Sequence, residues 1–199
     1  GFKKCSSGTI RVDGRTVNFN HPADAIAAGL TLVPGNRADA LLSERSVSEN
    51  IALPFSAKIR SWGALKKNLE VQKVNYAIEK LQIDTRAQGE VQRLSGGNQQ
   101  KVTIARWLAT GVDVLLLFDP TRGIDVQTKR QIYRQVRDLA AQGAAILYYT
   151  SELEEISLAC DRTVVIFNGQ VVAQIEAADS DEKTLMRAAY GLDTLEAVI

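Results

Sequence analysis

Ser95-Gly96-Gly97-Asn98 stands within the octet Leu94-Ser95-Gly96-Gly97-Asn98-Gln99-Gln100-Lys101. A serine and two glycines at a helix start offer a hydroxyl, bare amide N–H groups and the positive end of the helix dipole to an approaching phosphate. Glycine also lets the backbone come close to an anion that a larger residue would hold away. Taken alone, Ser-Gly-Gly favours an ordinary N-cap followed by a turn with no ligand, because such caps are common. The order of elements downstream favours the phosphate reading: a polar-faced helix, a short loop, the apolar run Val112 to Phe118, then Asp119-Pro120-Thr121-Arg122-Gly123-Ile124-Asp125, whose last residue opens a second helix. Unrelated domains seldom assemble elements in that order.

The elements that must position these residues alternate. Gly8 to Asp13 and Arg15 to Phe19 read as short strands, with Asp13-Gly14 suited to the tight turn between them. Pro22 starts a short helix, Ala23 to Ala28, closed by Gly29, and the strand Leu30 to Pro34 comes next. Ser46-Val47-Ser48-Glu49 fits a capping box, opening a helix expected to stop at Pro54. From Trp62 to Leu81, apolar residues recur at helical spacing with a charged opposite face. The second half reads as strand Val112 to Phe118, helix Val126 to Gln142, strand Ala144 to Thr150, helix Glu152 to Cys160, strands Thr163 to Phe167 and Gln170 to Ile175 joined at Asn168-Gly169, and a last helix Asp181 to Tyr190. Such alternation implies an α/β fold whose sheet is parallel at its centre and covered on both faces.

Composition narrows the function classes. With 199 residues, 45% of them hydrophobic, the chain can build one core with a small subdomain. A formal charge of +1, with basic and acidic residues interleaved along the helices, gives no pull towards nucleic acid. Cys5 and Cys160 have no metal-like spacing and are too few for a secreted disulfide framework, so two free thiols in a reducing compartment are expected. No run approaches the ~20 apolar residues of a membrane span, and no basic-then-apolar leader is present. A cytoplasmic chain that reaches a membrane only through a partner is expected. Its start at Gly1-Phe2 and its single methionine, Met186, suggest a piece of a longer protein. His21, the only histidine, precedes Pro22 and reads as a solvated loop residue.

The octet resembles the signature motif of ABC-type ATPases, and Val112 to Asp125 resembles their Walker B and D-loop. With Gly8-Thr9-Ile10-Arg11-Val12-Asp13-Gly14, the likeness extends over essentially the whole chain and is strongest to the second ATPase domain of the tandem subunits that drive simple-sugar importers. It implies a P-loop NTPase-like, largely parallel sheet with N-terminal antiparallel strands and a helical signature subdomain. As a partial nucleotide-binding domain, 1–199 would divide into N-terminal strands and a Q-loop-like strand (1–36), the helical signature subdomain (37–111) and a C-terminal α/β core (112–199). The phosphate-cradling Gly-x-x-x-x-Gly-Lys-Ser/Thr occurs nowhere in the sequence; in the family it would lie just before Gly1, with the central strand leading into it. The chain as it stands is therefore expected not to hold ATP tightly.

The resemblance also marks departures. Family members read Asp-Glu-Pro-Thr after the Walker B strand; aligned without a gap, Phe118 takes the magnesium aspartate's place and Asp119 the catalytic glutamate's. In a second register Asp119 is the magnesium residue and the glutamate is absent. Either way hydrolysis would be weak, with Asp119 the one catalytic candidate and no metal ligand set. Ser151 stands where most members carry the switch histidine, and Gly35-Asn36 replace two acids in a Q-loop-like Val33-Pro34-Gly35-Asn36-Arg37.

ABC domains pair head to tail. The resemblance accordingly implies that Ser95, Gly96, Gly97 and Asn98, with the D-loop residues Gly123, Ile124 and Asp125, serve ATP and Mg2+ held by a sister ATPase domain, while this chain's own site hydrolyses poorly. A membrane permease subunit is the other implied partner, docking near Arg37 to Arg45 and the helical segment; nucleic acid and direct bilayer insertion are not implied. A soluble ABC ATPase of translation or DNA repair, and a structural remnant without nucleotide contact, are the competing readings.

Overall fold

Three strands run parallel in the order β3-β4-β5: Leu30–Val33, Val114–Phe118 and Ala145–Tyr149. They form the central sheet of a computed structural model that describes residues 1–59, 65–85, 89–111 and 113–192. The expected strand residue Val112 and helix residue Trp62 lie outside the described residues. Ahead of the sheet, β1 (Ile10–Val12) and β2 (Arg15–Val17) form an antiparallel hairpin. Its turn places Asp13 and Gly14 at φ 49° and 73°, the left-handed pair that a two-residue hairpin needs. Helix α1 (Pro22–Ala27) is opened by His21, whose Nδ1 accepts from the Ala23 N–H at 3.1 Å, so this histidine is a helix cap.

One face of the sheet is dry. Val33, Leu115 and Leu117 are buried in a single core with Val102, Ile104 and Ala105 of α4 (Gly96–Leu108) and Ile132 and Val136 of α5 (Val126–Ala141). The opposite face carries Leu32, Phe118, Leu147 and Tyr149, all exposed. Register lines them up: Leu32 opposite Leu116, Leu116 opposite Leu147, Phe118 opposite Tyr149. The expectation of a sheet covered on both faces is thus met on one face only among the described residues. Helices α4 and α5 supply the covered face, and among the described residues the C-terminal strands β6 (Arg162–Phe167) and β7 (Gln170–Glu176) pair only with each other. Trp107 of α4 donates its indole N–H to the Leu32 carbonyl at 3.1 Å, on the outer edge of β3. Between β5 and β6 lies α6 (Glu154–Ala159), and α7 (Glu182–Ala189), capped by Asp181, packs on β6 and β7.

The helical part is built on α2 (Val47–Ile59), α3 (Leu65–Lys80) and α4. Ser46 and Glu49 form the expected capping box: the Ser46 Oγ accepts from the Glu49 N–H at 3.2 Å, and Glu49 Oε2 accepts from the Ser46 N–H at 2.8 Å. Contrary to expectation, α2 does not stop at Pro54 but continues to Ile59. Proline removes the N–H that would bond the carbonyl four residues back, that of Asn50. Arg106 of α4 supplies the substitute, donating from Nε to the Asn50 carbonyl at 2.8 Å. Asn50 itself is fully buried, its side chain bonded to the Leu42 N–H and the Leu42 and Ser46 carbonyls.

Arg106→Met should leave the Asn50 carbonyl buried and unpaired and cost about 1–3 kcal/mol in urea unfolding. Pro54→Ala in the same chain, by restoring the helical N–H, should recover part of that loss.

Candidate functional site

Helix α4 begins at Gly96 because Ser95 caps it with extended backbone (ψ 154°). The Ser95 Oγ accepts from the Asn98 N–H at 3.4 Å and from the Asn98 Nδ2 at 3.2 Å. Both bonds use lone pairs, so the hydroxyl proton of this exposed side chain is left to donate outward. The N–H groups of Gly96 and Gly97, at the first helical positions, have no partner within the helix. The rest of the octet works inward. Asn98 Oδ1 accepts from the Asp84 N–H at 3.0 Å. Lys101 is buried and donates from Nζ to the Gln82 carbonyl at 3.2 Å, closing the end of α3. Burial pushes the Lys101 ammonium pKa below its usual value, against the opposing pull of Asp125 and Asp84.

Each glycine answers to a neighbour. A Cβ on Gly97 would stand 2.7 Å from Thr128 Cγ2, and one on Gly96 would stand 3.3 Å from Arg37 Nη2 and 3.8 Å from the Gly123 carbonyl oxygen. Gly97 is therefore demanded by helix packing within the chain, a reason the sequence does not disclose. Thr128 is held in place by Asp125, which caps α5: Oδ1 accepts the Thr128 N–H at 2.9 Å and Oδ2 its hydroxyl at 2.8 Å. Those bonds hold the Asp125 carboxyl below the usual carboxylate range. Arg37 donates to the Arg122 carbonyl at 3.0 Å. Gly35, Asn36, Arg37, Gln99, Arg122 and Gly123 thus line one cleft of about 690 Å³. Of the Q-loop-like, octet and D-loop candidates, Gly35, Asn36 and Gly123 line it and Gly96 faces Arg37 and Gly123 at its border, whereas Ser95, Gly97, Asn98, Ile124 and Asp125 are not part of its lining. Asn36 is itself a cap, accepting from the Ala38 N–H at 3.2 Å.

Asp119 and Ser151 also meet. Asp119 takes left-handed backbone (φ 42°), and its Oδ1 accepts from the Ser151 N–H at 2.7 Å. Its own N–H donates to the Tyr149 carbonyl at 2.8 Å. Beside it the Phe118 ring stacks on Tyr149, centroids 5.5 Å apart. A divalent cation needs oxygen donors around it. Asp119 Oδ1 is engaged by a main-chain amide and the adjacent side chain is a stacked ring that offers no oxygen, so one carboxylate alone faces a cation here, which is a poor fit to Mg2+, and no group of metal-competent side chains gathers elsewhere among the described residues.

Behind Ser151 lies a carboxylate that the motifs do not single out. Glu155, 2% exposed, accepts from the hydroxyls of Thr121 (2.6 Å), Tyr133 (2.8 Å), Thr150 (2.8 Å) and Tyr148 (3.0 Å). Lys129 approaches it at 3.4 Å while also pairing with Glu152. Burial alone would raise the Glu155 pKa, but the hydrogen bonds outweigh it and hold the carboxyl below its usual range. Its sequence signal is a carboxylate in step with Ile156 and Ala159 on the buried stripe of α6.

The sequence pattern described as "ABC transporter" matches residues 1–122. The chain belongs to the ABC transporter family. Among its relatives, an arabinose import ATP-binding protein of Rhizobium etli is 40% identical over 185 residues, covering 92% of this chain and 37% of the relative. A ribose import ATP-binding protein of Bacillus subtilis is 37% identical over 193 residues, covering 96% and 39%. The chain thus spans under two-fifths of these relatives' length. The crystal structure of a nucleotide-free ATP-binding cassette from an ABC transporter shares the fold, with a TM-score of 0.75 at 22% identity over 94% of this chain and 76% of that one. Family membership agrees with the mixed α/β architecture and its parallel sheet.

Gly97→Ala should destabilise the chain by about 1–3 kcal/mol through the clash with Thr128, and Thr128→Ser, which removes Cγ2 and keeps the hydroxyl, should relieve most of it; urea midpoints of both variants check this. Because the folded Glu155 carboxyl sits below its unfolded value, its contribution is present at neutral pH and is lost as pH falls below about 4. Thermal midpoints should therefore drop more steeply on acidification in the wild type than in Glu155→Gln.

Proposed function

We propose that the chain is the ATP-binding, energising module of an ABC-type sugar importer, and that it presents its octet to a triphosphate held by a sister ATPase domain. The observation that carries this is the Ser95 hydroxyl: exposed, with both capping bonds accepted on its lone pairs, its proton is free to meet a phosphoryl oxygen. The N–H groups of Gly96 and Gly97 and the positive ends of α4 and α5 add to the same field. ATP with magnesium supplies the free energy of closure. This chain's residues contribute donors, a D-loop whose Asp125 caps α5, and in place of a catalytic glutamate only the shorter Asp119, whose Oδ1 is engaged by the Ser151 N–H.

The poor fit of Phe118 and Asp119 to a metal supports a second site on this chain that hydrolyses weakly or not at all. Asp119 is then a positioning residue, holding the Ser151 segment by its main chain. Sugar import by the relatives, named for ribose and arabinose, supports a permease partner. The 37–111 segment is the natural subdomain to receive it, placing the module at the cytoplasmic face of the membrane. No helix among the described residues is long and apolar enough to cross a membrane.

Two substitutions in the intact subunit test the assignment. Ser95→Arg should abolish most ATP turnover, by about 100-fold or more, because it removes the donor and crowds the helix tip; undiminished turnover would remove the trans role. Asp119→Asn retains an oxygen for the Ser151 N–H and should leave most turnover intact, whereas complete loss would mean that the hydrolysing site has been misassigned. Crosslinks from single cysteines between Ala38 and Ile59 to the permease should form; crosslinks confined to the far edge would end the docking proposal.

A further inference from the structure

Two loops that lie far apart in sequence end on one buried carboxylate. Thr121 follows the Walker B strand and stands two residues before Gly123; Thr150 follows β5 and stands one residue before Ser151. Both donate hydroxyls to Glu155, Thr121 to Oε1 at 2.6 Å and Thr150 to Oε2 at 2.8 Å. Tyr148 reaches both partners, donating to Oε2 at 3.0 Å and lying 3.3 Å from the Thr121 hydroxyl. From α5, Tyr133 donates at 2.8 Å and Lys129 approaches at 3.4 Å. The carboxylate is thus saturated by donors from β4's exit, β5 and its exit, and α5, with no water needed to complete its shell.

Saturation has a mechanical consequence. A buried charge that loses one partner leaves the remaining bonds to bear an uncompensated group, so displacement of either threonine disturbs the other. On the opposite side, the Asp119 carboxylate grips the Ser151 N–H at 2.7 Å, so the two loops are tied at both ends of a short bridge. We propose that Glu155 is a positioning residue that couples the D-loop to the Ser151 loop, so that the two move as one body. This rests on the proposed function for its consequence: the D-loop offered to the sister site would then report whether the Ser151 loop is seated.

The test uses Thr121→Val and Thr150→Val, which keep side-chain shape and remove one donor each, in the intact subunit. Amide exchange is followed by mass spectrometry over 120–125 and 149–152, with 30–33 as reference. The expected result is reciprocity: each single variant speeds exchange in both loops, by about tenfold, and the double variant adds less than the product of the two. Exchange confined to the loop carrying the substitution, with multiplicative effects in the double variant, would overturn the coupling. Glu155→Asp, which keeps the charge one methylene back, should loosen both loops less than Glu155→Gln; loosening equal to that of Glu155→Gln would count against a role for the charge. ATP turnover read on the same variants separates the two proposals. With coupling operating through the sister site, kcat falls while KM for ATP holds. Reciprocal exchange at unchanged kcat would sustain the coupling and refute the trans role of the D-loop.

Discussion

Two helices begin side by side, and that closeness organises the site. The starts of α4 and α5 approach until Gly97 and Thr128 leave no room for a methyl group. Each brings unpaired amides and the positive end of its dipole, so the approach is electrostatically unfavourable by itself. Asp125 offsets part of it by placing a carboxylate on the first turn of α5, and its low pKa keeps that charge in place. Beside these helix starts lies a cleft lined by Arg37 and Arg122, with Arg37 tied to the Arg122 carbonyl.

Polar groups inside the chain serve loops and helix ends. Asn50 with Arg106 carries α2 across Pro54, Lys101 closes α3, and Glu155 gathers the exits of two strands. Each is a buried group with a demanding set of partners, so each fixes one geometry more sharply than apolar packing alone would. The cost falls on tolerance to substitution, since removal of a single donor strands its partner away from water.

Much of this was legible in the residues. Parallel strands, the hairpins at Asp13-Gly14 and Asn168-Gly169, the Ser46 capping box and the Ser95 and Asp125 helix starts arise from local chemistry, and the structure has them within a residue or two. Local chemistry failed where a distant side chain intervened. Pro54 reads as a stop because nothing nearby replaces the lost bond, and Arg106 does so from another helix. Gly97 reads as an invitation to an anion, whereas Thr128 sets its size. Glu155 reads as one acid in an acidic pair, because the hydroxyls that claim it come from residues 121, 133, 148 and 150.

The parallel sheet has unlike borders. Along β3 the outward carbonyl of Leu32 is already taken by the Trp107 indole, which blunts that border against another strand. Along β5 the Ala145 N–H and the Tyr149 carbonyl turn towards β4, so by alternation the peptide groups of Ile146 and Tyr148 turn the other way, with no strand beside them among the described residues. Recruitment of further β structure is therefore directional: the ladder can lengthen beyond β5, and an indole ring bars it from lengthening beyond β3.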